Sequence, residues 1–563
     1  MANRAKEFFW LALAASVLTV MAGLFMQSDH PEIQPSFQHL FASQEPWGGA
    51  VCGLILAIAY VWAKRSARSA AVLESSLLRV ADNPLPLLLA VTVILAAAAI
   101  VIYHNRPLNI DEYSMYFQAK VFAEGSLWGK FPSDLVRWLV PASHQDHFFI
   151  ISHRTGQIVS AYWPGFALLL APFMKLHAPW LLNPLLTAGS LYLLCLIARR
   201  LFPHPAAPAW VLLFSLASPV ITVNALSYYA TTAHLFMDLL FAWLLFEQTP
   251  LRLFLAGVVG SIALVLHNPV PHLLFALPWI VCLAWRPGRV RNIGLLTLGY
   301  LPLIILLGYG WVWLKASLVQ GEVLLHKKSD YSAVGVGGET VGLFSNLVEK
   351  PFRMLQGKLA WPSLNFLWLR LLAFLKIFAW AVPGLPLLAA AGGARLGRGN
   401  AELKLWGWAA VITLVGYMFV PASQGHGWGF RYFHSVWAAL PLLAVFLILQ
   451  TSAVNEKGKH FLFLTILLSL LLSTGLRFWQ VYTFTGQHLA QLPEIPVPVA
   501  GKKQLVLIEA IQGYYAQDLV HNDPFLREDT IFLIGQGAIK DRRFMQNFPG
   551  AQKIRQKGLD SVW

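Results

Sequence analysis

The chain has 563 residues, of which 57% are hydrophobic and only 12% are charged, whereas soluble proteins carry about 25% charged residues. The formal net charge is +15, but the basic residues fall in short loops beside apolar segments, where they orient a membrane protein. This distribution argues against a nucleic-acid partner. Cys52, Cys195 and Cys282 all lie inside apolar runs, which argues against a disulfide framework and a cysteine metal site.

Apolar runs recur along the chain at lengths near those that a helix needs to cross a bilayer, about 18 residues or more. They predict an all-α polytopic membrane protein with the lipid bilayer as its first partner. About 13 spans are expected, at 8–26, 47–63, 84–103, 179–198, 207–221, 229–247, 253–267, 270–285, 293–314, 366–390, 405–421, 434–450 and 461–480.

The basic residues predict the orientation of these spans. With a cytoplasmic N-terminus, every second loop should face the cytoplasm and carry Lys and Arg. Each such loop is basic, with Lys64, Arg65, Arg68 and Arg79, then Arg199 and Arg200, Arg252, Arg286, Arg289 and Arg291, Arg395, Arg398 and Lys404, and Lys457 and Lys459. The apolar segment 162–174 is too short to span and would invert the later loops, so it is predicted to lie along the outer surface. We therefore expect a bacterial inner (cytoplasmic) membrane protein with its C-terminal segment in the periplasm.

Three domains are predicted. Residues 1–83 hold two additional N-terminal spans, and 84–481 form the main transmembrane domain. Residues 500–563 alternate strands (505–508 and 531–534) with polar helical stretches, which is typical of a small periplasmic α/β domain.

The outer loops differ in their expected structure. The first, 104–178, is predicted to carry a surface helix over 111–124 and a short helix from Ser133 to Trp138. The second, about 315–364, is glycine-rich and is either a lid or a disordered connector.

Asp111 and Glu112 follow the third predicted span at the water boundary, and Arg431 follows a later span at the same face. A charged group beside apolar helices needs a partner or a ligand. Further polar and aromatic residues share this depth, although each alone is compatible with an ordinary boundary residue. The predicted substrate-binding set is His153, Arg154, Tyr162, Trp163, Tyr229, His267, Asn268, His426, Arg431 and Tyr432.

These residue types suit one chemistry. A carboxylate at the water boundary accepts a proton from a hydroxyl, an arginine holds a phosphate through parallel hydrogen bonds, and aromatic faces stack on a sugar ring. The set therefore predicts transfer of a sugar from a lipid phosphate to a lipid, glycan or protein acceptor. The alternatives are a scaffold whose C-terminal domain recruits partners, and a transporter or flippase of a lipid-linked saccharide. The flippase would need polar groups at the bilayer midplane, where Asp238 is the nearest candidate.

The sequence Asp111-Glu112-Tyr113-Ser114-Met115-Tyr116 after a span resembles the first outer loop of GT-C glycosyltransferases. Within that class, the motif resembles those of the protein O-mannosyltransferase and aminoarabinose-transferase-like enzymes of glycosyltransferase family 39 type. Tyr162-Trp163-Pro164-Gly165 and Gly429-Phe430-Arg431-Tyr432 are similar to their later outer-loop motifs.

The resemblance implies a GT-C bundle and a polyprenyl-phosphate sugar donor. It implies that Asp111 is the acceptor base, or a ligand of a divalent cation such as Mg or Mn bound with the donor. Glu112 would shape the acceptor site, and Arg431 would hold the donor phosphate.

Overall fold

The computed structural model describes residues 3–28, 35–65, 70–322, 364–397, 399–420, 424–451, 453–490, 492–509, 516–557 and 560–562. Most of the glycine-rich second outer loop, predicted as either a lid or a disordered connector, lies outside the described residues.

The N-terminal region is helical. It contains α1 (Asn3–Phe25), α2 (Pro35–Arg65), α3 (Ala70–Asp82) and α4 (Leu85–Val101). Three of these helices correspond to predicted spans, and α3 occupies a segment that was expected to be a basic cytoplasmic loop. The additional N-terminal helices α1 and α2 pack on each other. Helix α2 also contacts the helix that begins at Glu456, so this region packs on the main bundle as well.

The first outer loop is compact. It contains α5 (Ile110–Ala123), β1 (Gly129–Lys130), α6 (Val136–Leu139), β2 (Phe149–Ile151), β3 (Gln157–Ser160) and α7 (Gly165–Lys175). The segments 111–124 and 162–174 are helical, as α5 and α7, and their position on the outer membrane surface stays a prediction. The strands form a small antiparallel sheet in the order β1-β3-β2, which was not predicted because strands of two to four residues carry little periodic signal.

Backbone contacts fix the start of α7. The N–H groups of Gly165 and Phe166 donate to the carbonyl oxygens of Val265 and Leu266 at 2.8 and 3.0 Å, which satisfies donors that a helix N-terminus leaves free. A Cβ atom at position 165 would lie 2.6 Å from the Val265 oxygen, so glycine permits this close approach. The segment that precedes α7 is therefore held against residues 265–267.

The main bundle follows. Its helices are α8 (Leu182–Leu201), α9 (Ala207–Leu216), α10 (Pro219–Asn224), α11 (Thr231–Leu245), α12 (Pro250–Leu264), α13 (Val270–Ala284), α14 (Arg289–Leu303), α15 (Gly310–Leu318), α16 (Leu364–Ala379), α17 (Leu385–Gly393), α18 (Ala401–Gly416), α19 (Ala439–Gln450), α20 (Glu456–Leu468) and α21 (Thr474–His488). Single π-helical turns at Ile304–Tyr309 and Ser469–Ser473 join α14 to α15 and α20 to α21. Among the described residues, five helical stretches are long and apolar enough to cross a membrane, and several shorter helices are strongly apolar. The polytopic all-α class is confirmed, and the number of spans stays a prediction.

Two predicted spans are broken. The run 207–221 is divided into α9 and α10 before Pro219, which has no N–H to continue a helix. The run 366–390 is divided into α16 and α17, and Gly384 takes a left-handed φ of 83° at the second helix start. Hydropathy cannot reveal either break, because both segments remain apolar throughout.

The C-terminal segment is a small α/β unit. Its elements are β4 (Gln504–Glu509), β5 (Thr530–Gly535), α22 (Ala538–Met545), β6 (Arg555–Lys557) and β7 (Asp560–Val562), with the strand order β5-β4-β7-β6. The pair β4 and β5 is parallel, and the other neighbours are antiparallel. Both predicted strands are therefore present.

The C-terminal unit packs directly on the first outer loop. Phe117 and Phe149 share one hydrophobic cluster with Leu507 and Leu533. The Tyr113 ring stacks on His521 with ring centroids 3.8 Å apart. The two segments therefore lie at the same end of the bundle, which agrees with the predicted topology that puts both of them outside.

Candidate active site

Asp111 is the second residue of α5, where the helix N-terminus favours a negative charge. Its Oδ1 atom accepts a hydrogen bond from the Tyr162 hydroxyl. Its Oδ2 atom accepts one from Arg431 Nη1 at 2.9 Å. The Asp111 and Arg431 side chains remain 19% and 14% exposed, so this ion pair lies at an edge that a ligand is able to reach.

Arg431 begins a short 3-10 helix (Arg431–Val436) that precedes α19. Its Nη2 atom donates to the carbonyl oxygen of Gln424, and its guanidinium lies 4.9 Å from the centre of the Tyr229 ring. Tyr229 lies just before the start of α11, while Asp111 and Arg431 are 320 positions apart in the chain. The fold therefore brings together the acidic and basic groups that the sequence singled out.

The electrostatics of the pair follow from these contacts. Burial raises the pKa of Asp111, but Arg431, Tyr162 and His267 lower it, and the net pKa lies below the usual value. Burial lowers the pKa of Arg431, and the Asp111 charge raises it above its usual value. Both groups are therefore charged at neutral pH.

A second layer of residues holds Tyr162. Its ring packs against His267 with centroids 4.1 Å apart, and Trp163 N donates to the His267 carbonyl oxygen at 3.3 Å. Asn268 Nδ2 lies 2.7 Å from His267 Nδ1, and its Oδ1 accepts from Val270 N at 3.1 Å. Thus His267, Asn268 and Trp163 position the tyrosine that contacts Asp111.

A buried polar triangle lies beside the pair. His426 Nδ1 is 2.8 Å from both Asn109 Nδ2 and the Tyr229 hydroxyl. Asn109 also caps α5, because its Oδ1 accepts from Glu112 N at 3.2 Å. The sequence predicted His426 and Tyr229 but missed Asn109, whose signal was a helix-capping residue type two positions before Asp111.

The Glu112 side chain has different partners from the Asp111 side chain, and it is fully buried. Its Oε1 accepts from the Tyr103 hydroxyl at 2.8 Å and from Tyr228 N at 3.2 Å, while Oε2 accepts from Leu108 N at 2.7 Å. These donors occupy the carboxylate, and burial raises its pKa to about 7. Glu112 therefore anchors α5 to the bundle rather than lining the exposed edge at Asp111.

We expect Glu112→Gln to flatten the pH dependence of stability. Because the folded-state pKa of about 7 lies above the ordinary value of 4.5, the stabilising contribution is complete below 4.5 and is lost as pH rises through 7. The loss corresponds to about 3 kcal/mol, and the Gln variant should not show it. Thermal unfolding of both proteins in detergent across this pH range measures the difference, and parallel curves would contradict the assignment.

Two predicted site residues lie elsewhere. His153 and Arg154 are exposed in the turn between β2 and β3, at the end of β3 opposite to Tyr162, and their backbone N–H groups donate to Glu322. The Tyr432 ring stacks on Tyr417 with centroids 4.4 Å apart. The structure does not bring the His153 and Arg154 side chains to Asp111. Tyr432 lies beside the ion pair: burial raises the pKa of its hydroxyl, and the Arg431 and Asp111 charges also act on it.

The described residues alone do not form a site for a divalent cation at Asp111. Among them, no group of three or more His, Cys, Asp or Glu side chains is arranged to hold a metal ion. In this structure both Asp111 oxygens accept hydrogen bonds, one from Tyr162 and one from Arg431. The Mg or Mn ion that the resemblance left open stays a prediction, and no step described below is routed through it.

Comparison with known structures defines the class of fold. No family model matches the chain, and no curated protein matches it. The structure matches that of ArnT from Cupriavidus metallidurans, an aminoarabinose transferase, in the apo state, with a TM-score of 0.50 and 12% identity over 86% of this chain and 98% of that chain. ArnT from the same organism bound to undecaprenyl phosphate gives a TM-score of 0.49 and 12% identity over 85% and 97%. The chain has a GT-C-like fold, as its motifs predicted.

Proposed function

We propose that the chain is a membrane glycosyltransferase that moves a sugar from a polyprenyl-phosphate donor to a lipid, glycan or protein acceptor. The reaction would take place at the periplasmic face of the bacterial inner membrane. The observation that carries this proposal is the partly exposed Asp111–Arg431 ion pair at one end of a GT-C-like bundle. The Asp111 carboxylate is able to act as a base, the Arg431 guanidinium is able to bind a phosphate, and the two groups are in direct contact.

The position of Arg431 suits a lipid phosphate. A guanidinium matches the geometry of phosphate oxygens through two parallel hydrogen bonds. Arg431 begins the short 3-10 helix that precedes the apolar helix α19, and charged residues near the ends of membrane helices reach the lipid headgroups. Undecaprenyl phosphate, with which ArnT was crystallised, carries the phosphate group of the proposed donor, and we use it as the probe for this site.

The transfer step balances with the residues at hand. Asp111 accepts the proton of the acceptor hydroxyl as the acceptor oxygen forms a bond to the anomeric carbon of the sugar. The bond from that carbon to the phosphate oxygen breaks, and its electron pair stays on the departing polyprenyl phosphate. Arg431 neutralises the charge that develops on this phosphate. The proton remains on Asp111 until the product leaves.

Donor binding would also activate the base. Arg431 lowers the pKa of Asp111, which makes the carboxylate a weak base while the two are paired. A phosphate that takes over the guanidinium weakens this pairing, and the pKa of Asp111 then rises toward a value better suited to proton transfer. Asp111 would thus become an effective base only when the donor is present.

The flippase alternative has less support. Its nearest midplane candidate, Asp238, is fully buried. Asp238 Oδ1 lies 2.5 Å from His272 Nδ1, and His272 Nε2 lies 2.6 Å from the Tyr300 hydroxyl. This charge belongs to a packed polar network between α11, α13 and α14, which favours a structural role for Asp238 over a place in a transport path.

We expect Arg431→Ala to weaken the binding of undecaprenyl phosphate by about 10- to 150-fold, which is the loss of about 1.5–3 kcal/mol for hydrogen bonds to a charged group. Arg431→Lys should recover part of the affinity, because it keeps the charge but loses the planar fork. The measurement is titration of the purified protein in nanodiscs with undecaprenyl phosphate. Arg137→Ala serves as the matched control, since Arg137 is an exposed arginine of the same face.

Equal affinities for the wild-type protein and Arg431→Ala would remove Arg431 from the donor site. A loss of the same size in Arg137→Ala would show that the effect is the general attraction of a basic surface for an anionic lipid.

A further inference from the structure

Three successive residues in the first turn of α5 contact three different parts of the molecule. Asp111 pairs with Arg431 at 2.9 Å, and Glu112 is held in the bundle by the donors described above. Tyr113 contacts the C-terminal unit. Its hydroxyl donates to the backbone oxygen of Asn522 at 2.9 Å and accepts from the backbone N–H of the same residue at 2.8 Å. The C-terminal unit therefore holds the helical turn that carries the proposed base.

The backbone of Asn522 is itself fixed within the C-terminal unit. Its side-chain Oδ1 accepts from Phe532 N of β5 at 2.8 Å, and its Nδ2 donates to Phe532 O at 2.9 Å. The neighbouring His521 ring stacks on Tyr113 with the two planes 9° apart. Because the Asn522 side chain ties this segment to a strand, the backbone groups that meet the Tyr113 hydroxyl are held in place and do not follow movements of α5.

The Tyr113 hydroxyl makes a buried contact between the two parts. Tyr113 and Asn522 are both buried, so removing the hydroxyl would leave an N–H and a carbonyl group without a partner away from water, which is unfavourable. Two ion pairs also join α5 to the C-terminal unit at 2.9 Å, but their side chains are 32% to 60% exposed and such pairs contribute little: Lys120 with Glu528, and Glu124 with Arg527.

The position of Tyr113 along α5 links this contact to the base. A helix rises 1.5 Å per residue, so Tyr113 lies only about 3 Å along the axis from Asp111, within the same helical turn. A shift of that turn moves both residues together. Misplacing a catalytic group by about 1 Å is able to reduce turnover about 10²-fold. The geometry of Asp111 therefore depends on a contact outside the site itself.

We propose that Tyr113 is a positioning residue, which binds the Asn522 backbone and thereby holds the Asp111 carboxylate in its place for transfer. The C-terminal unit then supports turnover without contacting the substrates. This inference rests on the proposed function and names the part of the chain that orients its base. Arg431 lies outside α5, so the donor phosphate is expected to bind independently of this contact.

The test replaces Tyr113 with Phe, which keeps the ring that stacks on His521 and removes only the hydroxyl. Transfer is followed from the polyprenyl-lipid fraction of the source strain to the envelope extract of a strain that lacks the protein, with both fractions saturating. The saturated rate should fall about 10- to 100-fold, while the affinity for undecaprenyl phosphate in nanodiscs stays within about twofold of the wild-type value. Arg527→Gln, which breaks an exposed contact between the same two parts, is the matched control and should keep the wild-type rate.

A second variant tests whether the two residues act through one contact. Asn522→Ala releases the backbone groups that meet Tyr113, so it should also lower the saturated rate and leave the lipid affinity unchanged. The double variant should lose no more than the larger of the two single losses, because residues that share one interaction are not additive.

A saturated rate near the wild-type value in Tyr113→Phe, or losses that multiply in the double variant, would overturn the positioning role while the proposed function stands. An equal loss in Arg527→Gln, or a matching loss of lipid affinity in Tyr113→Phe, would show general loosening of the outer region and would also overturn it. No transfer by the wild-type protein would contradict the proposed function itself. Hydrogen exchange then tests the contact directly: Tyr113→Phe should speed exchange of the backbone amides at the start of α5, and unchanged exchange would overturn the inference.

Discussion

Replacing Asp111 with Asn is expected to reduce sugar transfer about 10²–10⁴-fold, because general base catalysis contributes a factor of this size. The amide has nearly the same shape as the carboxylate, but it is unable to accept the proton of the acceptor hydroxyl. The purified variant should keep its thermal stability to within a few degrees. The same change at Asp134, an exposed aspartate of the first outer loop, should leave transfer unaffected.

The same variant separates the roles of the two charged residues. Asp111 now pairs with Arg431 at 2.9 Å, so Asp111→Asn releases the guanidinium for a phosphate. Undecaprenyl phosphate should therefore bind the variant at least as tightly as the wild-type protein, although turnover is lost. Turnover near the wild-type rate would remove Asp111 from the base role, and weaker lipid binding would contradict competition between the carboxylate and the phosphate for Arg431.

Replacing Glu45 with Ala is expected to destabilise the protein by about 3–5 kcal/mol, the usual cost of breaking a buried ion pair from one side. Glu45 lies in α2 and is fully buried. Its Oε2 accepts from Arg477 Nη2 of α21 at 2.7 Å, and its Oε1 accepts from Trp380 Nε1 at 2.9 Å. Lys376 Nζ of α16 lies 3.6 Å from the same carboxylate. This anion therefore joins the additional N-terminal helices to the main bundle.

Thermal unfolding in detergent measures the cost. Glu456→Ala is the matched control, because Glu456 is 73% exposed and pairs with Lys459 three residues away, an arrangement worth about 0.3–0.5 kcal/mol. Adding Lys376→Met to Glu45→Ala should recover part of the loss, since it removes one of the two cations left without an anion. An unfolding temperature of Glu45→Ala equal to that of the control would contradict the role of this cluster.

The sequence predicted those features that local patterns determine. The helix over 111–124 and the strands at 505–508 and 531–534 follow from hydrophobic periodicity, and most apolar helices follow from the length of the apolar runs; both signals depend only on neighbouring residues. Asp111 and Arg431 were predicted because ionic groups are scarce in this chain. Their direct contact was beyond the reach of local patterns, since residues 320 positions apart meet only through the packing of the whole bundle.

The remaining features depend on the orientation of side chains in the tertiary structure. Glu112 follows Asp111 in sequence, but successive residues of a helix point about 100° apart, and only the surrounding fold determines which of them faces the buried donors. His521 lies in a segment with no periodic pattern, and its stacking on Tyr113 follows from the packing of the C-terminal unit on the outer loop. His153 and Arg154 were predicted from their loop, yet the hairpin places them at its exposed turn.

The most direct test of the central claim is a lipid and glycan profile of the source bacterium with and without this protein. The account predicts that the deletion strain loses one sugar from one envelope component and accumulates the same sugar on a polyprenyl phosphate. The wild-type chain should reverse both changes, and the chain with Asp111→Asn should reverse neither. An unchanged envelope profile in the deletion strain, or full reversal by the Asp111→Asn chain, would contradict the account.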